Sequence, residues 1–560
     1  MLTFSNDAQV AESQMQAVIF MMTTFGYIDG DFDQREKEFV RDRIRALVKA
    51  RVDGAKVGDV IVRSELVDKF TTHFHEVFEQ VDARVRDLMN EPTASGEDPS
   101  AFVHARLKQQ CLELMQGFDK EGQEALMAAI DELLMADGEV HPAEVKFRAE
   151  LASFLEADLG LELIDEDDGP RGNVTLEAVV ELPPAGAVHP FFEPFEHHYR
   201  KDVIEQQIQA DVALVDRARH LFADQRKKGE GKLSGKKSFV ELAGEDAFLD
   251  GHVYVVPPKP GKKYDILVLG DLHGCYSVLK AAILQSNFFD KVNEYKKDPT
   301  KPEPHLILLG DYIDRGLFSL NGVLRGVLQL FVTAPEYVHV LRGNHEYYIE
   351  HEGKVYGGVQ PSEAINTLRP YVPIEVFRHY IELFEMLPNS LSFGELFFVH
   401  GGIPKDRLVK ERWKDLSSLN DPDIRFQMMW SDPSKADVIP ADLQDKSSRF
   451  AFGKLQFRAF MQKLGASTMF RGHEKVNDGF VTNYDGDEGR LYTLFSSGGK
   501  DNDDLPETSS YRTVTPMALT IIHDDSGTKL RPWALDYRAY NDPEKNGFFK
   551  IAPEIPLRAK

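Results

Sequence analysis

The sequence predicts a multidomain chain, an all-α region followed by an α/β domain, and three observations carry that reading. At 560 residues the chain is too long for a single hydrophobic core. Early apolar residues recur at helical spacing: Met15, Val18, Ile19, Met22 and Phe25, then Leu126, Ile130, Leu133 and Leu134. From residue 262 to about 525, short apolar runs bounded by glycine alternate with helical patterns.

Residues 1–157 read as the helical domain. Each of its two clearest helices runs into an acidic turn, Asp29-Gly30-Asp31 in one case and Asp137-Gly138-Glu139 in the other. Gly30 and Gly138 suit helix C-caps, and Asp33 with Glu36 forms a capping-box pattern for the helix that follows. The two stretches form a loose internal repeat.

Residues 158–258 read as a connector. It holds an acidic loop at Asp165–Asp168, a proline-rich stretch at 183–194 and an amphipathic helix at 200–225. Arg226–Lys237, basic and rich in glycine, is expected to be a flexible hinge. The connector is long enough to fold over the face of the next domain. Pro257–Gly261 marks the boundary, residues 259–525 form the α/β domain, and 526–560 is a tail without clear period.

The composition, 42% apolar and 28% charged, is that of an ordinary folded protein. A formal charge of −25 argues against a nucleic-acid partner, which would call for a basic face. Cys111 and Cys275 are the only cysteines, so no disulfide framework is expected and a reducing cytoplasm is the natural compartment. No signal peptide is legible, and the apolar stretch Ala17–Tyr27 is too short to span a bilayer.

Four apolar runs end in compact clusters of metal-seeking residues. Asp265–Leu269 leads to Asp271 and His273, His305–Leu309 to Asp311, Asp314 and Arg315, Tyr337–Leu341 to Asn344 and His345, and Leu396–Val399 to His400. Ligands in α/β sheets gather beyond the carboxyl ends of strands, so the four clusters read as one site. A fifth run, Ser467–Phe470, leads to His473. Any one of these residues alone would be a turn residue or cap; the set is too coordinated for that. Six oxygen and nitrogen ligands without cysteine suit manganese, iron or zinc, and paired ions that activate a water are the usual basis of phosphoester hydrolysis.

The blocks GDLHG (270–274), GDYIDRG (310–316), LRGNHE (341–346), VHGG (399–402) and RGH (471–473) together resemble the phosphoprotein phosphatase (PPP) family of serine/threonine phosphatases, a branch of the metallophosphoesterases. The match covers about half the chain. It implies a β-sandwich of two mixed sheets flanked by helices. It also implies two divalent metals, manganese first among the candidates: Asp271, His273 and Asp311 on one, and Asp311, Asn344, His400 and His473 on the other. By the same resemblance His345 is the general acid, Asp314 orients it, and Arg315 and Arg449 bind phosphate together with Asn344. The reaction implied is hydrolysis of a phosphomonoester by in-line attack of a metal-activated water, with a phosphoprotein as substrate. A diadenosine-polyphosphate hydrolase or another small-molecule phosphoesterase is the alternative, and a non-catalytic scaffold a third reading.

Two departures from the family pattern stand out. The eukaryotic members place a phosphate-contacting tyrosine after the last core strand, where this chain has Ser496-Ser497-Gly498-Gly499, so that contact is expected to be absent or replaced. Cys275 after His-Gly is closer to bacterial members and is read as an inert small residue, with a redox role as the alternative. Arg342 and Glu346 are expected to brace the loops. Residues 1–157 resemble the tellurite-resistance TerB-like helical domain. That implies a regulatory or docking role with its own partner, and metal binding at the acidic turns, although capping accounts for the same residues.

Overall fold

The computed structural model describes residues 4–5, 7–28, 32–55, 59–89, 99–115, 118–135, 142–156, 173–182, 186, 189–193, 204–369, 372–486 and 489–542. The chain divides into two compact units, Met1–Glu162 with Ser434–Gly453, and Leu163–Pro433 with Lys454–Lys560.

The first unit contains helices α1 (Ala8–Gly26), α2 (Gln34–Gly54), α3 (Val60–Met89), α4 (Pro99–Met115), α5 (Lys120–Leu134) and α6 (Pro142–Glu156). Asp7 caps α1 by accepting from the amides of Gln9 and Val10. Asp33 and Glu36 form the expected capping box on α2. The periodic residues Val18, Ile19, Met22, Phe25, Ile130 and Leu133 are buried in one core. The acidic turns at 29–31 and 137–139 and the loop at 165–168 lie outside the described residues.

That core has an unexpected contributor. Ala436, Ile439, Leu443 and Ala451 are buried in the same cluster as Phe25 and Phe147. The stretch 434–453 therefore leaves the α/β domain, completes the helical core and returns. Its apolar residues follow no single period, so the sequence gives no sign of the excursion.

The second unit is built on two sheets. Its first strands are β1 (Val174–Leu176), β2 (Val180–Glu181), β3 (Phe248–Asp250), β4 (Val253–Val255), β5 (Tyr264–Leu269), β6 (Glu303–Leu308) and β7 (Val338–Val340). A small hairpin, β8 (Tyr348–His351) with β9 (Lys354–Gly357), precedes β10 (Ser390–Phe393) and β11 (Leu396–Val399). After the short strands β12 (Ser431–Pro433) and β13 (Phe450–Phe452) come β14 (Thr468–Arg471), β15 (Phe480–Gly486), β16 (Gly489–Leu494), β17 (Met517–Asp524) and β18 (Gly527–Ala534).

One sheet runs β1-β18-β17-β5-β6-β7, with β2 also on β18; the other runs β15-β16-β14-β11-β10-β4-β3. Both are mixed. Strands β5, β6 and β7 are parallel and β17 is antiparallel to β5, while β11, β14 and β16 are parallel and β10 is antiparallel to β11. The sheets face each other through Phe393, whose ring lies 4.9 Å from that of Tyr264 and 5.4 Å from that of His523. At their carboxyl ends they meet in an isolated bridge between Asp271 and Phe495.

Two boundaries differ from the sequence reading. The hairpin of β17 and β18 pairs Asp524 with Gly527, so a boundary at 525 cuts through it. Lys529, Arg531 and Pro532 hide the strand in the sequence, yet Thr528, Leu530 and Trp533 are buried in it. Residues 204–258 also belong to the α/β unit rather than forming a free connector. Helix α7 (Ile204–Gly229) buries Val215, Ala218 and Phe222 in the core that holds β5, with Phe222 stacked 4.3 Å from Phe331.

The basic stretch 226–237 is not a hinge. Arg226 Nε donates to the Gly251 carbonyl at 2.5 Å and its Nη2 to the Met386 carbonyl. The Asp250 carboxylate accepts from the amides of Gly231 and Leu233, and Leu233 is buried. The leading cation and the glycines thus tie down carbonyls and turns.

Candidate active site

The site forms where β5, β6, β7, β11 and β14 end. The turns after β5, β6 and β14 deliver their polar residues through left-handed backbone. Among the described residues seven non-glycine residues have positive φ, and five of them are His273, Asp311, Asp314, Arg315 and His473. Such conformations cost of order 1–3 kcal/mol each and cluster where function over-determines them. Two glycines permit close approach: a Cβ on Gly343 would lie 2.1 Å from Asp311 Oδ1, and one on Gly472 would lie 2.2 Å from Asp271 Oδ1.

The carboxylates are fixed by the loops that carry the other ligands. Asp311 Oδ1 accepts from the His345 amide at 3.0 Å, and Asp271 Oδ1 accepts from the His473 amide at 2.9 Å. Asp311 Oδ2 is then turned toward three imidazoles: His400 Nε2 at 3.4 Å, His273 Nε2 at 3.6 Å and His345 Nε2 at 3.9 Å. His273 Nε2 is also 3.7 Å from Asp271 Oδ2. Asn344 Oδ1 lies 2.8 Å from His400 Nε2 and 3.0 Å from His473 Nδ1, so these three converge on one locus. The far ring nitrogens of His273 and His400 are held by the carbonyls of Ile313 and Leu309, which fixes both rings.

Supporting residues surround this set. Glu346 accepts from the amides of Asp311, Tyr312 and Gly343, tying the loops after β6 and β7 together. Arg342 donates to the Glu346 carbonyl and pairs with Glu385 at 2.7 Å. Arg471, fully buried, pairs with Asp432 at 2.8 Å and also donates to the Gly401 carbonyl. Ser496 accepts from the Gly270 amide and donates to the Met517 carbonyl, anchoring the end of β5.

His345 Nδ1 is 2.8 Å from Asp314 Oδ2, and Asp314 Oδ1 accepts from the Ala364 amide at 2.8 Å. Burial pushes Asp314 up to about 6, which still leaves a carboxylate at neutral pH. Arg315 Nη1 donates to the Pro361 carbonyl at 3.0 Å and to both oxygens of Glu363 at 3.0 and 2.9 Å. Its Nη2 is buried with no hydrogen-bond partner. Burial opposes the guanidinium charge, but Tyr511, Glu363 and Asp314 hold its pKa above the ordinary value.

Tyr511 was not legible in the sequence. It sits in a short 3-10 turn, Ser510–Thr513, capped by Ser509, well past the position where the family carries its tyrosine. Its ring centroid is 5.4 Å from those of His273 and Phe495. Burial raises its phenol, which therefore stays neutral, and it lies close enough to Arg315, Asp271 and Asp311 to feel their charges. Its place is set by that turn rather than by spacing from β16, so no motif marks it. Glu363 opens a short helix, Glu363–Leu368, and no motif marks it either. Arg449 is placed in the other compact unit, half-buried, its amide bonded to Ser447 Oγ. Cys275 is buried and its thiol is pushed up by burial, which argues against the redox alternative.

The residues fit a pair of metal ions. His273, Asp311 and His345, and again Asp311, His400 and His473, bring ligand atoms within 4.8 Å of one another, with Asp311 common to both groups. Asp271 Oδ2 is buried without a hydrogen-bond partner, and burial with the neighbouring Asp311 charge pushes that carboxyl up to about 7. Burial holds His273 and His400 below the ordinary imidazole value, which leaves their nitrogens neutral. Neutral imidazoles around crowded carboxylates are a donor set that divalent cations stabilise.

Residues 264–477 match the family model of the calcineurin-like phosphoesterases. The chain is 26% identical over 258 residues to a probable serine/threonine-protein phosphatase of Encephalitozoon cuniculi, covering 45% of this chain and 51% of that one. It is also 26% identical over 236 residues to the serine/threonine-protein phosphatase 4 catalytic subunit of Saccharomyces cerevisiae, covering 41% and 68%. The chain thus spans about half the length of the first of these relatives. A solved serine/threonine phosphatase of Saccharomyces cerevisiae superposes with a TM-score of 0.37 at 20% identity, over 58% of this chain and 89% of that one. A cold-active protein tyrosine phosphatase superposes with a TM-score of 0.30 at 15% identity, over 52% and 82%.

Proposed function

We propose that this chain, a member of the phosphoprotein phosphatase family of metallophosphoesterases, is a metal-dependent serine/threonine protein phosphatase with an N-terminal regulatory or docking domain. One observation carries the reading: two groups of potential metal-binding side chains share Asp311, and one member of the first group, His345, is held through Nδ1 by Asp314, the hold expected of an acid rather than a ligand. Asp271, His273 and Asp311 would hold one divalent ion, and Asp311, Asn344, His400 and His473 the other. Two such ions, manganese in the first instance, would supply Lewis-acid charge and an activated water.

The remaining steps belong to the protein's own groups. Arg315 Nη2 and the neutral Tyr511 phenol bind the phosphoryl oxygens, with Asn344 alongside. His345 gives its Nε2 proton to the departing serine oxygen, a poor leaving group that needs it. Asp314 keeps the Nδ1 proton in place, so the proton that moves is the one on Nε2. Arg449, the second phosphate arginine suggested by the resemblance, lies in the other compact unit and is given no step. The helical unit is assigned the regulatory role with its TerB-like resemblance, and the compartment is cytoplasmic; among the described residues no helix is long and apolar enough to cross a membrane.

The test is turnover with manganese of a phosphoserine peptide beside a dinucleoside tetraphosphate. Faster release of phosphate from the peptide supports the reading, and faster cleavage of the dinucleotide sinks it. Asp314 favours the peptide, because dinucleotide hydrolases of this superfamily typically lack that aspartate.

A further inference from the structure

The guanidinium of Arg315 has two ends in unlike surroundings. Nη1 is saturated by the Pro361 carbonyl and the Glu363 carboxylate, while Nη2 is buried without a well-formed hydrogen bond, and the Tyr511 phenol is the guanidinium's remaining polar neighbour. A buried donor without a partner costs about 1–3 kcal/mol, so the arrangement stands only where something holds the arginine in it. Arginine would otherwise be free to rotate a long side chain, at about 2 kcal/mol of rotamer entropy when it is fixed. The hold on Nη1 removes that freedom before any ligand arrives.

The same four-residue stretch, Pro361–Ala364, also serves the acid. The Ala364 amide is bonded to Asp314 Oδ1 at 2.8 Å, one residue from the carboxylate that grips Arg315. Asp314 and Arg315 are consecutive, and both carry left-handed backbones, with φ of 66° and 65°. A backbone so placed is kept by outside contacts. Pro361, Glu363 and Ala364 provide them from one side. The carboxylate of Glu363 is 40% exposed and Arg315 only 12%, so the anion lies on the solvent side of the pair.

We propose that Glu363 is a positioning residue for phosphate binding: its carboxylate fixes one end of Arg315 so that Nη2 is presented, pre-oriented, to the phosphoryl group. The idea rests on the phosphatase reading for its substrate, but its geometry is that of any phosphate oxyanion in the site. Glu363 acts through Arg315 and touches no reacting atom. Its charge-assisted grip does what a neutral side chain would do more weakly, and the freed Nη2 keeps full donor strength for the ligand.

A double-mutant cycle on the full chain tests this, with Glu363→Ala, Glu363→Gln, Arg315→Ala and the combination Glu363→Ala with Arg315→Ala. Inorganic phosphate binding is measured by calorimetry on manganese-loaded protein, and KM and kcat are measured with a phosphoserine peptide. Thermal unfolding checks the fold of each variant. Glu363→Ala should weaken phosphate binding and raise KM about tenfold with a smaller change in kcat, and Glu363→Gln should recover part of the loss. In the Arg315→Ala background Glu363→Ala should do nothing further. A full additional loss in that background, or tighter phosphate binding by Glu363→Ala, would overturn the proposal; the latter would make Glu363 a competitor of phosphate. Absent peptide turnover by the wild-type chain would count against the phosphatase reading alone, because the phosphate-binding cycle reads the Glu363 role without it.

Discussion

His345 Nδ1 and Asp314 Oδ2 stand 2.8 Å apart, both buried, at the edge of the cluster centred on Asp311. The pairing turns Nε2 toward Asp311, 3.9 Å away, and on the proposed mechanism the proton on Nε2 is the one given to the leaving oxygen. Serine alkoxide needs that proton far more than a nitrophenolate does.

Replacing His345 by Asn should therefore cut turnover of a phosphoserine peptide by about 10²–10⁴-fold, with the fold intact by circular dichroism. The loss with p-nitrophenyl phosphate should be clearly smaller. Equal losses on the two substrates would remove His345 from the acid role.

Asp311→Asn should disturb both metal positions at once, because Asp311 Oδ2 faces imidazoles of both ligand groups. We expect manganese content after dialysis to fall from two ions toward none and the affinity to drop by at least about 100-fold. Elemental analysis gives the answer directly; two ions retained would refute the shared-ligand geometry.

Tyr511→Phe keeps the ring against His273 and Phe495 and removes only the phenol oxygen. One hydrogen bond is worth about 0.5–1.5 kcal/mol, so phosphate affinity should fall between about two- and tenfold. Unchanged KM and unchanged phosphate inhibition would show that the phenol is not a phosphate contact.

His305 and His339 form a buried pair between the sheets, with His305 Nδ1 3.1 Å from His339 Nε2. Burial lowers His305 to about 4 and His339 well below the ordinary value. Folded pKa values below the unfolded 6.5 mean stability is fully present above pH 6.5 and is lost as pH falls toward about 4. Substituting His339 by Leu should flatten the fall in stability of metal-free protein by about 1.4 kcal/mol per pH unit between pH 6 and 4.5. Denaturant melts at several pH values measure it, and identical slopes would contradict the buried-neutral assignment.

Deleting residues 1–162 should not yield a well-behaved phosphatase domain. Ile439 and Leu443 would be stripped of their core, at about 1.5–3 kcal/mol for each side chain, and would promote aggregation. Replacing 434–453 by a short glycine–serine loop in the truncated chain should restore solubility, as read by size-exclusion chromatography. A cut at residue 250 is not a clean alternative, since it also removes α7 and β3.

The convergence of Asp271, His273, Asp311, Asn344, His400 and His473 was legible because each sits shortly after an apolar strand, where local sequence fixes both strand and turn. The central strands were legible for the same reason, through their buried runs, whereas the arrangement in two mixed sheets came only from the family resemblance. Tyr511 and Glu363 escaped because a 3-10 turn carries the first and the start of a short helix, Glu363–Leu368, carries the second; neither follows an apolar strand, and their positions are set by contacts made only in the folded chain. The Ser509 cap places the first, and the Ala364–Asp314 bond accompanies the second. The stretch 226–237 misled for a physical reason as well: Arg226 and the glycines that suggest mobility instead satisfy carbonyls and tight turns.

The excursion at 434–453 also bears on synthesis order. Domains made first usually close first as the chain emerges. Here the amino-terminal core still wants Ala436, Ile439, Leu443 and Ala451, so it can be sealed only after the ribosome has passed residue 453. By then the loops that deliver Asp271, Asp311, Asn344 and His400 have already been translated, and the nascent protein must keep a half-finished helical bundle soluble while they take shape.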